Sequence, residues 1–295
     1  MPKKINPVYQ KKIEDIKVER ESFASSAMKG VYIEQKQALD EVHKLVGKIY
    51  IDYAKEGFLN ISSAQKAIIL ANVKKHLKET GMSLSKSEVA AVTNILKNVF
   101  ELTYYKSAYT LDEGMKTSLK FNILKPEFID RAVNTEFKGE MFSDRIWANK
   151  ASMMDQLQAY LVESMKGNIS IDKIGRQIRD TFNVSAYDSH RLVYTETARI
   201  QTQATDDIAR SAGVKQQMYS ATLDIKTNPE DASFDGNIYD VDDESKPEIP
   251  QHPNCRCCYI NIPNAEWKPE QRIDNESGKL IDYQTYEQWA KDKGI

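Results

Sequence analysis

Long apolar runs are missing from this sequence. No stretch approaches the roughly 20 consecutive apolar residues of a membrane-spanning helix, and the start, Met1-Pro2-Lys3-Lys4-Ile5, lacks the apolar core of a signal peptide. We therefore expect a protein kept in cytosol-like conditions, with no membrane partner. Cysteine is scarce too. The three cysteines, Cys255, Cys257 and Cys258, fall within four consecutive positions, which excludes a disulfide framework across the chain and leaves free thiols or a local metal site. Nor is there an excess of one charge. Lys and Arg total 41 against 43 Asp and Glu, a formal net charge of -2, so affinity for nucleic acid would have to come from a local patch.

What is present is helical periodicity, and 295 residues with 41% hydrophobic content can bury a substantial core. Residues 1–55 are rich in Lys, Glu, Gln and Ala, and Val31, Leu39, Val42, Val46 and Ile49 recur at helical spacing. This pattern predicts one long charged helix with a narrow apolar stripe, suited to docking on another helix or on a partner subunit. Ser62 with Gln65 and Ser85 with Glu88 have the spacing of capping boxes, predicting helices over 63–78 and 86–106. Between 107 and 142 the pattern weakens, and a connector with one short helix or strand pair is expected.

From Ser143 the periodicity sharpens. Ile146, Met153, Leu157 and Leu161 share a face; Gly167-Asn168 stops that helix and Ser170 caps a second, striped by Ile171, Ile174, Ile178 and Phe182. Ser185 with Asp188 predicts a third helix, with Val193, Thr197, Ile200, Ala204 and Ile208 on one side and Glu196, Arg199, Gln203 and Asp207 on another, ending at Gly213. Beyond Gly213 the period becomes two, and Met218–Leu223 and Cys257–Ile262 read as strands. Residues 222–250 between them hold nine Asp/Glu against two Lys, predicting a solvated, mobile acid loop. The fold class expected is α+β and predominantly α-helical. A helical N-terminal region, 1–136, precedes a second domain, 137–295, made of a helical segment and a small β-sheet module.

Among the polar residues, His252, Cys255, Cys257 and Cys258 offer four zinc donors from one short segment, but adjacent Cys257 and Cys258 point to opposite faces of a strand. Asp224 or Asp231 would have to complete the shell, so packed thiols and a structural histidine are favoured, with zinc at His252, Cys255 and Cys257 as the alternative. Pro253 fixes φ, Asn254 tolerates unusual backbone angles, and Arg256 offers a fork of donors to a carboxylate such as Glu196 or Asp224. Glu196 and Arg199 form an i, i+3 pair, worth only about 0.2–0.5 kcal/mol on an exposed helix. No nucleophile, phosphate loop or second histidine accompanies Glu196, so no residue is assigned as catalytic and no cofactor is expected. Asp235, Asp240, Asp242 and Asp243 lack the spacing of a calcium loop. The basic residues Lys3, Lys4, Lys11, Lys12, Lys17 and Arg20 are interleaved with acids, which makes a modest nucleic-acid patch.

The order of short motifs adds a further reading. Phe142-Ser143-Asp144-Arg145-Ile146-Trp147, Gly167-Asn168-Ile169-Ser170 and Arg191-Leu192-Val193-Tyr194-Thr195-Glu196 come first. Tyr219-Ser220-Ala221-Thr222-Leu223-Asp224, Phe234-Asp235-Gly236 and His252-Pro253-Asn254-Cys255-Arg256-Cys257 follow, and Tyr283–Trp289 closes the series. This half of the chain resembles the phage minor head, or head morphogenesis, proteins of the Mu F-like branch. It departs from them at Tyr194, where the family often carries Arg, and in lacking the cysteines the family commonly has shortly after the position of Asp224. The resemblance implies a bacteriophage structural protein and not an enzyme. It would reside inside the virion head, and in the host cytoplasm during assembly. There it would bind the portal protein, with the scaffold or major capsid protein as further partners, and assist procapsid assembly, DNA packaging or ejection. Residues 1–135 are then the candidate contact surface. Two alternatives are a metal-dependent enzyme or toxin-like effector carried in the virion, and a head protein that binds DNA nonspecifically.

Overall fold

In a computed structural model the described residues are 8–115 and 123–294; Lys3 and Lys4 lie outside them. The chain is α+β and predominantly helical. The helices are α1 (Tyr9–Ala27), α2 (Lys29–Tyr53), α3 (Ser63–Met115), α4 (Pro126–Val133), α5 (Phe142–Ser164), α6 (Ile171–Ala212), α7 (Pro229–Phe234) and α8 (Tyr286–Lys293). The strands are β1 (Ala54–Lys55), β2 (Phe58–Leu59), β3 (Gln216–Ser220), β4 (Ile238–Asp240), β5 (Cys258–Asn261), β6 (Gln271–Asp274) and β7 (Lys279–Asp282).

Helix boundaries depart from the periodicity in three places. The single helix expected over 1–55 is two, α1 and α2, meeting at Met28, whose φ of -71° and ψ of -10° stay helical. Ser62 and Gln65 do close a capping box at the start of α3, the Ser62 amide donating to Gln65 Oε1 at 3.2 Å and the Gln65 amide to Ser62 Oγ at 3.4 Å. Ser85, however, opens nothing: its hydroxyl donates to the Gly81 carbonyl one turn back, at 2.9 Å, and α3 runs straight through it. The two helices expected over 63–106 are therefore one. Ser185 also lies inside a helix, its hydroxyl accepting from Lys150 Nζ at 2.9 Å, so the second and third helices expected after Ser170 are the single α6. A serine inside a helix can bond the preceding turn as readily as cap a new one, and no Pro at either place forces a break. The weakly patterned stretch after α3 holds α4, begun by Pro126 at its first turn, and a one-residue bridge between Phe137 and Glu140.

Two compact units are assembled from separated parts of the chain. One comprises Ala27–Thr93 and Glu136–Leu192; the other comprises the segment ending at Ser26, Asn94–Thr135 and everything from Val193. Both α3 and α6 contribute to each.

The first unit is an all-helical core with a two-residue β1–β2 hairpin. Val42 and Val46 of α2, Val73 and Leu77 of α3, Leu157 and Leu161 of α5, and Ile174 and Ile178 of α6 are buried together. Each such side chain contributes about 1.5–3 kcal/mol by leaving water. Ile171, assigned by periodicity to the same stripe, is 41% exposed, since it begins the helix before the buried face is established. This core encloses an ion pair. Lys150 Nζ lies 2.7 Å from Glu88 Oε2 and donates to Ser185 Oγ and Ser189 Oγ at 2.9 and 3.0 Å, while Gln35 Nε2 donates to Glu88 at 3.2 Å. Glu88 is thus a buried charge and not a capping residue.

The second unit is built on an antiparallel sheet of order β4-β3-β5, with Tyr219 opposite Tyr259 and Met218 opposite Ile260. Period-two alternation sorts its two faces. Met218 and Ile260 pack with Tyr9, Ile13 and Ile16 of α1 and with Leu111 and Ala209, while Tyr219 and Tyr259 pack with Ile249, Cys255 and Cys257. The β6–β7 hairpin and α8 complete the unit, and α8 begins with a capping box of Thr285 and Gln288 and buries Trp289. The acid loop is not simply solvated. It contains α7 and β4, and Asp224, Asp231 and Asp235 are buried, because each has a partner that offsets its desolvation.

Candidate functional site

The polar motifs of residues 193–295 converge on the end of β3, where the chain leaves Ser220 and enters the acid loop. Three clusters stand there, each containing a residue of one of the motifs.

The deepest is Arg272 with Asp235. Both side chains are 1% exposed, and Arg272 donates to Asp235 Oδ2 at 2.7 Å, to Asp235 Oδ1 at 3.2 Å, and to the carbonyls of Ala221 and Gln284 at 2.6 and 3.1 Å. Asp235 also accepts the amides of Ala221 at 2.8 Å and Tyr286 at 2.6 Å, so one carboxylate joins the end of β3, the β6–β7 hairpin and the first turn of α8. Gly236 must follow it. Its φ of +82° suits glycine, and a Cβ there would stand 2.9 Å from the Tyr283 hydroxyl. Glu14 of α1 adds to the cluster, accepting from the Ile273 amide and the Ser220 hydroxyl, each at 3.2 Å. Burial raises the Glu14 pKa, against the opposing pull of the Arg272 charge.

The second cluster is Arg256 with Asp224. The guanidinium grips both carboxylate oxygens, with Nη2 to Oδ1 at 2.7 Å, and the Thr222 hydroxyl donates to the Arg256 carbonyl at 2.7 Å. Burial works against ionisation of Asp224, but the Arg256 hydrogen bonds and charge outweigh it and lower its pKa. Of the two carboxylates open to Arg256 from sequence, it takes Asp224. Glu196 faces elsewhere, accepting from Arg199 Nε at 2.7 Å, and that pair is buried instead of lying on a solvated helix face. Arg199 Nη1 donates to the Ala132 carbonyl at 3.0 Å, so it satisfies a terminal carbonyl of α4 where a cation is favoured. Helix α6 is tied to the histidine turn by another route: the Asn254 amide donates to Thr195 Oγ1 at 3.2 Å, with Asn254 at φ +60°. Pro253 lends its carbonyl to His252 Nδ1 at 2.9 Å.

The remaining cluster contains metal-ligating chemistry. Asp231 Oδ2, on α7, lies 2.8 Å from His252 Nε2 and 3.8 Å from Cys255 Sγ. The three ligand atoms are all within 4.8 Å of one another. Tyr219 donates its hydroxyl to the other oxygen, Asp231 Oδ1, at 2.8 Å. Cys257 is hydrogen-bonded to Cys255, which lowers the Cys255 pKa and raises that of Cys257. Cys258 is on the opposite face of the strand, packed with the α1 side of the sheet. The structure therefore brings His252 and Cys255 together with Asp231, sets Cys257 beside Cys255 but outside that trio, and leaves Cys258 out.

Arg272 and Glu14 carried no sequence signal beyond being charges in plain amphipathic segments. Tyr219 and Asp231 lay inside or beside the recognised motifs, but only the fold shows them sharing a hydrogen bond.

These motifs place the chain among known proteins. Residues 155–260 match the family described as Phage Mu protein F like protein. The minor head protein GP7 of Bacillus phage SPP1 is 21% identical over 273 residues, an alignment covering 86% of this chain and 89% of that protein. This chain is similar to the phage minor head proteins. A second relative, the NAD(+)–arginine ADP-ribosyltransferase EFV of Enterococcus faecalis, is 25% identical over 209 residues, or 65% of this chain. The chain covers only 43% of that protein's length. No solved structure matches. Among the described residues, no helix is long and apolar enough to cross a membrane.

Proposed function

We propose that this protein is an internal minor head protein of a tailed phage, carried in the virion, that acts by binding other head components and not by catalysis. The observation that carries the reading is the near end-to-end correspondence with the SPP1 minor head protein, in which neither chain leaves much unaccounted for. The site chemistry supports it. Arg256, Arg272 and Arg199 are each occupied by a buried carboxylate, an arrangement that fixes loops.

The portal is the partner we favour, engaged during procapsid assembly, with scaffold and major capsid protein as further contacts and packaging or ejection as the later role. A docking surface confined to a free N-terminal helix is disfavoured, because Tyr9, Ile13 and Ile16 of α1 belong to the core of the second unit. Exposed apolar side chains such as Ile33 and Ile51 on α2 are better candidates, at 58% and 84% exposed. Capture of the full chain by its phage's portal protein, retained at moderate salt and lost on Ile51→Asp or Ile33→Asp, is the expected result. Failure of the unaltered chain to be captured would remove the portal as a direct partner.

The nonspecific DNA reading loses ground. Lys11, Lys12, Lys17 and Arg20 are engaged by Asp15, Glu113, Glu21 and Glu19, respectively. The effector reading has the ADP-ribosyltransferase relative in its favour and is tested by incubating the protein with NAD and an arginine-rich acceptor; we expect no transfer.

A further inference from the structure

We propose that Asp231, His252, Cys255 and Cys257 form a structural zinc site that staples α7 to the turn before β5. This inference is independent of the minor head reading, since it rests on donor chemistry alone. Three observations carry it.

First, the donor set is right and the spacing is close. Zinc takes thiolate sulfur at about 2.3 Å and imidazole nitrogen or carboxylate oxygen at about 2.0–2.2 Å, which puts neighbouring ligands of a tetrahedron roughly 3.3–3.8 Å apart. The separations from Asp231 Oδ2 are 2.8 Å to the His252 nitrogen and 3.8 Å to the Cys255 sulfur. Opening the first by about half an ångström admits an ion at bond lengths normal for zinc. Cys257, whose thiol neighbours that of Cys255 but lies outside this close trio, would turn toward it to supply the fourth donor.

Second, the donors are in the protein interior and not on a solvated acidic surface. Asp231, Cys255 and Cys257 are 2%, 2% and 4% exposed, and only His252 reaches water. Among the described residues Asp231 is partnered by His252 and Tyr219 and not, as Asp224 and Asp235 are, by an arginine, so its burial beside two thiols leaves room for a stronger cation. Two thiolates, one carboxylate and a neutral imidazole around a divalent ion leave a single net negative charge, which the Tyr219 hydroxyl on Asp231 Oδ1 offsets in part.

Third, the outer contacts hold the ligands in place as a metal shell requires. The Tyr219 hydroxyl orients the Asp231 carboxylate, and the Pro253 carbonyl takes His252 Nδ1, which directs Nε2 inward. The two ligand-bearing segments, α7 and the 252–257 turn, come from opposite ends of the acid loop, so an ion would close that loop.

The test uses the full-length protein, stripped of metal and titrated with cobalt(II) as the probe. We expect one cobalt per chain, with the visible bands of tetrahedral coordination and near-ultraviolet thiolate-to-cobalt charge transfer, displaced by one equivalent of zinc. Cys258→Ser should leave the spectrum unchanged. Cys255→Ser should abolish it, and Tyr219→Phe should weaken affinity about 10–100-fold while preserving the bands. His252→Gln, at a half-exposed position, gives a second loss-of-ligand variant that does not open the core. Absence of thiolate bands in the unaltered protein would overturn the site, as would binding that survives both Cys255→Ser and His252→Gln.

Discussion

Replacing Arg272 by Met keeps the volume of the side chain and removes its charge, leaving the Asp235 carboxylate buried with only two backbone amides as donors. Breaking a buried ion pair from one side costs about 3–5 kcal/mol, because the surviving charge is neither paired nor hydrated. Against the roughly 5–15 kcal/mol that holds a typical domain together, this is a large fraction. With a urea slope of about 2–3 kcal/mol/M, the midpoint should fall by about 1–2 M. Tryptophan fluorescence can report it cleanly. Trp267 and Trp289 lie in the same unit as Arg272, and the partly exposed Trp147 of the other unit can be changed to Phe to remove its signal. Adding Asp235→Asn to Arg272→Met should restore part of the loss by discharging the stranded group, and only part, since the amide accepts from the Ala221 and Tyr286 amides with a single oxygen. A single variant that shifts the midpoint by less than a few tenths molar, or a double variant as unstable as the sum of its parts, would refute the assignment of Arg272 and Asp235 as one energetic unit.

Three further outcomes are expected. Lys150→Met should destabilise the all-helical unit by about 3–5 kcal/mol by isolating Glu88, whereas Lys166→Ala, at an exposed pair with Glu163, should change stability by less than about 1 kcal/mol; thermal or urea unfolding compares them directly. Gly236→Ala should cost about 1–2 kcal/mol from its positive φ, with more from the close Tyr283 hydroxyl, and calorimetry should show the loss without altered helical content. Asp274 should make stability fall in strong acid. Burial opposes its ionisation, but the Ser277, Lys293 and Glu276 hydrogen bonds prevail and bring its pKa down to about 2 from 3.8. Because the folded value is the lower one, its contribution is present above about pH 4 and is lost as pH falls toward 2. An Asp274→Asn variant should flatten that part of the pH–stability curve.

Local order was legible in the chain because it is periodic. The stripes Ile146-Met153-Leu157-Leu161 and Val193-Ile200-Ala204-Ile208 are buried as helical spacing requires, and Met218 and Tyr219 go to opposite faces of β3 because a strand alternates. The Gly213 stop was legible too, since it takes the left-handed φ of +72° that glycine tolerates. Helix continuity was not. Ser85 looks the same in sequence whether it caps a new helix or bonds back to Gly81, and only packing along α3 decides between these.

The same division runs through the polar centre. Residue types and motif order singled out Asp224, Asp235, His252, Cys255 and Arg256 as motif residues and pointed to the phage head proteins. Tertiary structure decided the partners: Asp224 with Arg256, Asp235 with Arg272, Glu196 with Arg199, and Asp231 with His252 and Tyr219. It also decided that these acids are buried, where a count of charges had suggested a solvated loop. The physical reason is that a carboxylate's environment depends on groups brought to it from distant segments. Arg272 is 37 residues from Asp235. Neither spacing nor composition encodes that distance, and desolvation makes the choice of partner the decisive energy.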